Sequence, residues 1–353
     1  MLERVTTKAL PLVNRYAEQA PMAATCCNAC RTCVQTNVLA AVVAGGLWLA
    51  SFAGRLVKRS ARRHPAHERG DVVTLGDLLI RLGHSPDPDD AFMFWGLSAG
   101  VVETGDFSFE HVLEDIQTLN EWALEGRLEV TAISLHAYPF VQDRYAILPH
   151  GASMGSGYGP IVVSQEPLSR ADLQEIEIAV PGRMTTAFLV LRMYLGGDYR
   201  FREVPFDQII DEVKSGRAQA GLLIHEGQLT YETHGLQNVV DLGEWWLLET
   251  GLPLPLGINV ARRDLGDDML HDLSEVLRAS IAAGLESRDE ALSYALQYGR
   301  GLDRRLADRF VGMYVNRLTE DYGDEGREAV GELLRRGEQI GAFEQPVRVD
   351  FVS

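Results

Sequence analysis

Cysteine is missing from the body of the chain. All four cysteines, Cys26, Cys27, Cys30 and Cys33, fall in the early stretch CCNACRTC of the 353-residue sequence. The body is therefore not disulfide-stapled, and a cysteine nucleophile or thiolate metal site is excluded from its chemistry. The cluster itself crowds four thiols into one local turn, without the long spacer of a zinc site, and no Cys-x-x-Cys-His haem motif is present. No bound metal is expected there; acylation beside a membrane segment is the other use for such thiols. Positive charge is also short: the net charge is −17. Residues 1–75 carry ten Lys and Arg against four Asp and Glu, which leaves 23 against 46 for the rest. An acidic body repels phosphate backbones, so nucleic acid is excluded as a partner. The body has no internal repeat and no low-complexity tract. Its glycine-rich stretch GASMGSGYGP, residues 151–160, is not framed as strand, turn and helix, which excludes a nucleotide-binding fingerprint. No metal or nucleotide cofactor is indicated.

What is present is a hydrophobic fraction of 46%, enough for a substantial core, on a chain long enough for two domains. Residues 38–54, VLAAVVAGGLWLASFAG, form an uncharged apolar run near the lower length limit of a membrane span. The basic RLVKRSARRHPAHER follows at once and, by the positive-inside rule, places what comes after it in the cytoplasm. A cleavable signal peptide fits poorly, because the run starts too far from Met1 and its charges lie on the wrong side. Residues 1–75 are thus an N-terminal extension, either a membrane tether or a segment upstream of the working start.

From Leu78 onward, short apolar strands alternate with helical segments, which predicts α/β layers. LLIRLGHS, FSFEHVLE, LEVTAIS, EIEIAV and AQAGLLI read as strands; IQTLNEWALEGR and TTAFLVLRMYLG read as helices. After LPLGINVARRD the pattern turns mostly helical. Two α/β halves followed by a C-terminal helical set suggest two lobes around a cleft. The expected division gives residues 76–164 and 260–353 to lobe 1 and residues 165–259 to lobe 2. The chain then crosses near Val163-Ser164 and Asn259-Val260, and the ligand lies between strand-end loops.

Four loops converge in that picture. GHSPDPDD, residues 83–90, stiffens a carboxylate-rich loop with two prolines; Asp87, Asp89 or Asp90 lines the cleft, or the acids simply complement a helix start. Ser134 ends a strand, where its hydroxyl meets a ligand or makes a turn. In PGRMTTAF, residues 181–188, Thr185 and Thr186 open a helix whose free N–H groups and dipole suit an anion; plain capping is the bland reading. His225 follows the apolar run Gly221–Ile224 at a strand end. It either caps the core or, as a desolvated and therefore neutral imidazole, takes a proton, with Glu226 orienting it or facing solvent.

These loops, in this order, resemble the 1,4-dihydroxy-6-naphthoate synthase family of the futalosine route to menaquinone. The resemblance covers residues 78–353 and is carried by SPDPDDAFMF, AVPGRMTTAFLVL, AGLLIHEGQLTYETHGLQNVVDLGEWW and TGLPLPLGINVARRDLG, among other stretches. It implies a two-lobed fold like that of periplasmic binding proteins. It also implies a cytoplasmic lyase that cleaves cyclic dehypoxanthinyl futalosine. His225 falls on the family's proton acceptor, while Thr185, Thr186, Ser134 and Ala132 fall on substrate-binding positions. The partner is a small anionic substrate, and the oligomeric state is left open. Three departures stand out: Asp87 replaces the family's Cys, Asp89 its Asn, and Ala132 its common Lys. A solute-binding protein for a small anion and a chorismate dehydratase are the alternatives; the HEGQLTY stretch points away from the latter.

Overall fold

The computed structural model describes residues 78–299 and 302–353. The apolar run 38–54, its basic flank and Cys26, Cys27, Cys30 and Cys33 lie outside the described residues. Among the described residues no helix is long and apolar enough to cross a membrane.

Eleven strands build two sheets. In chain order they are β1 Leu78–His84, β2 Phe107–Leu113, β3 Val130–Ser134, β4 Tyr145–Ile147, β5 Ser153–Gly155, β6 Ile161–Ser164, β7 Glu177–Val180, β8 Arg200–Glu203, β9 Ala220–Leu223, β10 Gln237–Asp241 and β11 Leu254–Arg262. The first sheet runs β2-β1-β3-β11-β4, with β5 also on β11; the second runs β10-β6-β9-β7-β8. The helices that matter below are α1 Pro88–Met93, α2 Ile116–Glu125, α3 Thr186–Leu195, α4 Gly227–Thr230, α5 Leu242–Thr250, α6 Asp267–Glu286, α7 Arg288–Ala295, α8 Arg304–Tyr314 and α9 Gly323–Gln339.

Apolar periodicity explains the layers. β3, β6 and β9 are buried at every residue, as strands covered on both faces must be. α2 ends on Gly126 and α3 on Gly196, both in the left-handed conformation that closes a helix without a Cβ penalty. The C-terminal helices complete lobe 1: α6 and α7 pack on α1, α8 on α1 and β5, and α9 on β11.

The chain changes sheets earlier than the sequence reading expects. β6 already pairs with β9 and β10 of the second sheet, and β11 pairs with β3, β4 and β5 of the first. The crossings therefore fall at residues 156–160 and 251–253, not at 163–164 and 259–260. The reason lies in direction. Each returning strand enters its new sheet from the cleft end, so β11 lies antiparallel to β3, and β6 antiparallel to β9. The strands native to each sheet, β1 and β3 or β7 and β9, are parallel and end at the cleft.

The first crossing is tightly clamped. Leu242 N–H donates to Pro160 O at 2.9 Å. A Cβ on Gly243 would lie 2.0 Å from Tyr158 O and 2.5 Å from Gly159 N, both backbone atoms that cannot move aside. Gly243→Ala should thus destabilise the fold by about 1–3 kcal/mol through overpacking. Gly331→Ala, in the open interior of α9 with no atom within 4 Å of the added carbon, should instead raise stability by about 0.5–1 kcal/mol. Urea denaturation of both variants checks the pair; equal midpoints would contradict it.

Candidate active site in the cleft

The strand ends deliver the site residues. β1 runs into Ser85 and the Pro86–Pro88 turn, which carries Asp87 as the N-terminal cap residue of α1; Pro88 fits the first helical turn, where a missing N–H costs nothing. β3 ends on Ser134. β7 is followed by Pro181-Gly182, where Gly182 adopts φ of 153°, a conformation closed to side-chain-bearing residues. A Cβ there would also strike Gln117 of α2. β9 leads through Ile224 into His225, whose φ of +56° makes it the one described non-glycine residue in the left-handed region.

Between the lobes these ends enclose about 690 Å³ of empty space, part of it open to solvent. With open solvent set aside, the cavity itself is about 100 Å³, so the cleft is nearly shut. All five residues anticipated from sequence, His225, Ala132, Ser134, Thr185 and Thr186, line it. Among its described lining residues none is Lys or Arg. Among the described residues, no group of three or more His, Cys, Asp and Glu side chains is placed to hold a metal ion.

The threonines are spoken for. Thr185 Oγ1 caps α3 by accepting from Phe188 N–H at 3.2 Å and donates to Gly182 O at 2.8 Å. Thr186 Oγ1 donates to Leu256 O of β11 at 2.6 Å and accepts from His136 N–H at 3.2 Å. His136 Nδ1 stands 3.2 Å from Thr185 O, so this nitrogen carries the proton. Burial lowers His136 to about 4, so the ring is neutral. What α3 offers a ligand is therefore its first N–H groups, Thr186 and Ala187, which have no intrahelical carbonyl to bond. Ser134 is held by Asn120, whose amide nitrogen donates to Ser134 Oγ at 3.1 Å and whose oxygen accepts Ser134 N–H at 2.8 Å.

The decisive contact crosses the cleft. His225 Nδ1 lies 2.9 Å from Asp87 Oδ2, with the carboxylate 1% and the imidazole 16% exposed. Ser85 Oγ donates to the same Asp87 oxygen at 2.6 Å and lies 2.9 Å from Asp90 Oδ2. Burial alone would lower the His225 pKa, but the charge and hydrogen bond of Asp87, aided by Glu226 and Asp89, outweigh it and push the ring up to about 9. The expected neutral imidazole is thus corrected: at neutral pH the resting ring is an imidazolium paired with Asp87. Burial raises Asp89 to about 6, with the Asp87 charge adding to it. Burial and the neighbouring Asp89 and Asp87 charges raise Asp90 to about 8.

Sequence reasoning missed the lobe-1 groups beyond the strand ends. Tyr314, at the end of α8, has its hydroxyl 2.7 Å from the Gln228 amide. With that amide turned to satisfy its neighbours, its oxygen accepts His225 N–H at 3.2 Å and its nitrogen donates to Gly159 O at 2.6 Å. Asn259 of β11 is buried in the cavity wall. Gln228 was within reach of the sequence, three residues past His225; Tyr314 and Asn259 sit in amphipathic or alternating segments that look like ordinary core.

Two sheets joined by paired crossings around a cleft define the two-lobed fold of periplasmic binding proteins. A Candida albicans gene product described as having the generic periplasmic binding protein fold matches at a TM-score of 0.58 and 12% identity, over 78% of this chain and 98% of that one. The profile of the family described as Menaquinone biosynthesis matches residues 80–339, and the chain belongs to that family. It is 45% identical over 273 residues to a 1,4-dihydroxy-6-naphthoate synthase of Thermus thermophilus, covering 77% of this chain and 99% of the relative. A crystal structure of an Archaeoglobus fulgidus protein matches at a TM-score of 0.72 and 47% identity, over 75% of this chain and 98% of that one.

The buried cluster makes stability depend on pH in a definite sense. Asp89, Asp90 and His225 all bind protons more tightly folded than unfolded, so their contributions are lost as pH rises through about 6, 8 and 9. The buried His84, His136 and His150 have lowered values and act only below about 6.5. Between pH 7 and 9 the urea midpoint should therefore fall, and Asp90→Asn should flatten the decline. A midpoint that rises over this window would refute the assignment.

Proposed function

We propose that this chain is the carbon–carbon lyase that converts cyclic dehypoxanthinyl futalosine to 1,4-dihydroxy-6-naphthoate, with His225 as proton acceptor. The observation that carries this is the place of His225: in the wall of the cavity that the start of α3 also lines, with Nδ1 committed to Asp87. Nε2 is then the nitrogen that exchanges a proton with substrate. Removal of a proton from the sugar-derived part opens the carbon–carbon bond and releases the aromatic acid. The Thr186 and Ala187 N–H groups receive the anionic end of the substrate, Thr185 and Thr186 fix that helix start, and Ser134 and Ala132 form the opposing wall. Closure of the lobes excludes water. Membership of the family and the named Thermus relative support the enzyme over a non-catalytic solute binder or a chorismate dehydratase. The basic flank after residue 54 favours a cytoplasmic position for the body.

The base form of His225 is the deprotonated one, and Asp87 resists its formation. We therefore expect kcat/KM to climb between pH 7 and 9. In assays of the full-length protein with the cyclic futalosine derivative, followed by mass detection of naphthoate, His225→Ala should lower kcat by about 100- to 10,000-fold with little change in substrate binding. Near-normal turnover would remove His225 from the mechanism, and no naphthoate from the unaltered protein would remove the function.

A further inference from the structure

We propose that Asp87 is a positioning residue that arms His225 only when the two lobes are closed. The inference rests on His225 being the proton acceptor, and concerns how this chain makes it one. Asp87 belongs to lobe 1 and is fixed there on three sides. Its backbone carbonyl accepts Ala91 N–H at 3.0 Å, Ser85 Oγ holds the carboxylate at 2.6 Å, and the side chain is buried. His225 belongs to lobe 2, in the turn between β9 and α4.

The ring's other supports divide the same way. Phe206 of lobe 2 stands edge-on to the imidazole with ring centroids 4.8 Å apart. His225 N–H is accepted by Gln228, which in turn meets the hydroxyl of Tyr314 on α8 of lobe 1. The two lobe-1 contacts on this turn, Asp87 on the ring and Tyr314 through Gln228, exist only while the cleft is shut. Further latches span the same gap: Thr186 Oγ1 to Leu256 O at 2.6 Å, and Gln117 Oε1 accepting Met184 N–H at 3.2 Å.

Charged and titratable groups facing His225 come from both lobes: Asp87 and Asp89 across the cleft, and Glu226 on its own turn. Parting the lobes removes the first two and returns the ring to water. In the closed state Nδ1–H points at a carboxylate, so when the imidazolium gives up its other proton the tautomer is fixed and Nε2 is the basic atom. When the substrate proton moves to Nε2, the electron pair stays on the substrate, and the new imidazolium charge forms beside Asp87 rather than beside solvent. The pairing thus makes the ring a stronger base inside the shut cleft than in open solvent.

The test uses the full-length protein labelled with ¹³C-histidine, the His225 signal being assigned by its loss in His225→Gln. In the unaltered protein the ring should titrate near 9. In Asp87→Asn, which keeps an acceptor but removes the charge, it should fall by about 1–3 pH units, the range an adjacent opposite charge commands. The rising limb of kcat/KM should move down with it. Asp87→Glu should recover most of the shift. Tyr314→Phe, which touches only the lobe-1 latch, should lower the titration as well.

An Asp87→Asn protein whose His225 titrates like the unaltered one, or whose pH profile is merely scaled down, overturns the positioning role. If Asp87→Asn fails to fold, Asp87→Glu and Tyr314→Phe still decide the matter: Asp87→Glu should hold the titration close to that of the unaltered protein and Tyr314→Phe should lower it, and a Glu variant that titrates at the ordinary histidine value, or a Phe variant that does not shift, overturns the proposal. A His225 unmoved by Tyr314→Phe alone overturns the dependence on closure. The two readings fail separately. Normal turnover by His225→Ala ends the proposed function; an inactive His225→Ala with an unmoved Asp87→Asn titration ends only this inference.

Discussion

One ion pair between two lobes, Asp87 to His225 at 2.9 Å, organises the cleft. A buried carboxylate is costly unless it is paired and hydrogen-bonded. Asp87 has the imidazole and Ser85 Oγ on the same oxygen. Because three aspartates crowd this loop, only part of the negative charge is kept. As pH falls the imidazole takes its proton first, near 9, Asp90 follows near 8 and Asp89 only near 6. At neutral pH the imidazolium therefore faces an ionised Asp87 while burial keeps Asp90 protonated.

The fold makes that meeting unavoidable. Parallel strands deliver their C-terminal ends to one edge, so β1 and β3 present Ser85, Asp87 and Ser134 on one side, while β7 and β9 present Thr185, Thr186 and His225 on the other. The two returning strands, β6 and β11, enter from the cleft end and tie each sheet to the crossing. Gly243 lets α5 close against Tyr158–Gly159 of the first crossing. Helices α6 to α9 then stiffen lobe 1 and bring Tyr314 to the cleft wall.

Much of this was legible in the residues. Strand–helix alternation gave both sheets, Thr185 was recognisable as a cap, and His225 stood out because an ionisable pair ended a buried run. The five anticipated side chains all reach one cavity. Legibility failed where partners come from distant sequence. Burial alone lowers a histidine and so points to a neutral imidazole; the opposing charge belongs to Asp87, 138 residues earlier, and no local pattern reveals it. The crossings were misplaced because a buried strand such as Ile161–Ser164 reads the same in either sheet. Tyr314 was hidden inside an amphipathic helix whose inward face looked like core.

The pair also bears on how an anion is held where no Lys or Arg among the described residues lines the cavity. Ala132 sits on the strand floor beside Asn259 and contributes only a methyl group. Attraction for a carboxylate must then come from the α3 N–H groups and from the imidazolium itself. Both are directional and short in range, unlike a flexible lysine. An anionic group near His225 would favour its protonated form and so oppose its use as a base. On the proposed reading the conflict is resolved by separation: the helix start proposed to receive charge and the ring proposed to receive a proton stand on different loops of lobe 2. A substrate long enough to span them can place its anion at Thr186 and Ala187 while a polar, uncharged part meets Nε2. A small anion without that reach would pair with the imidazolium and silence it, so discrimination by length follows from the same contact that arms the base.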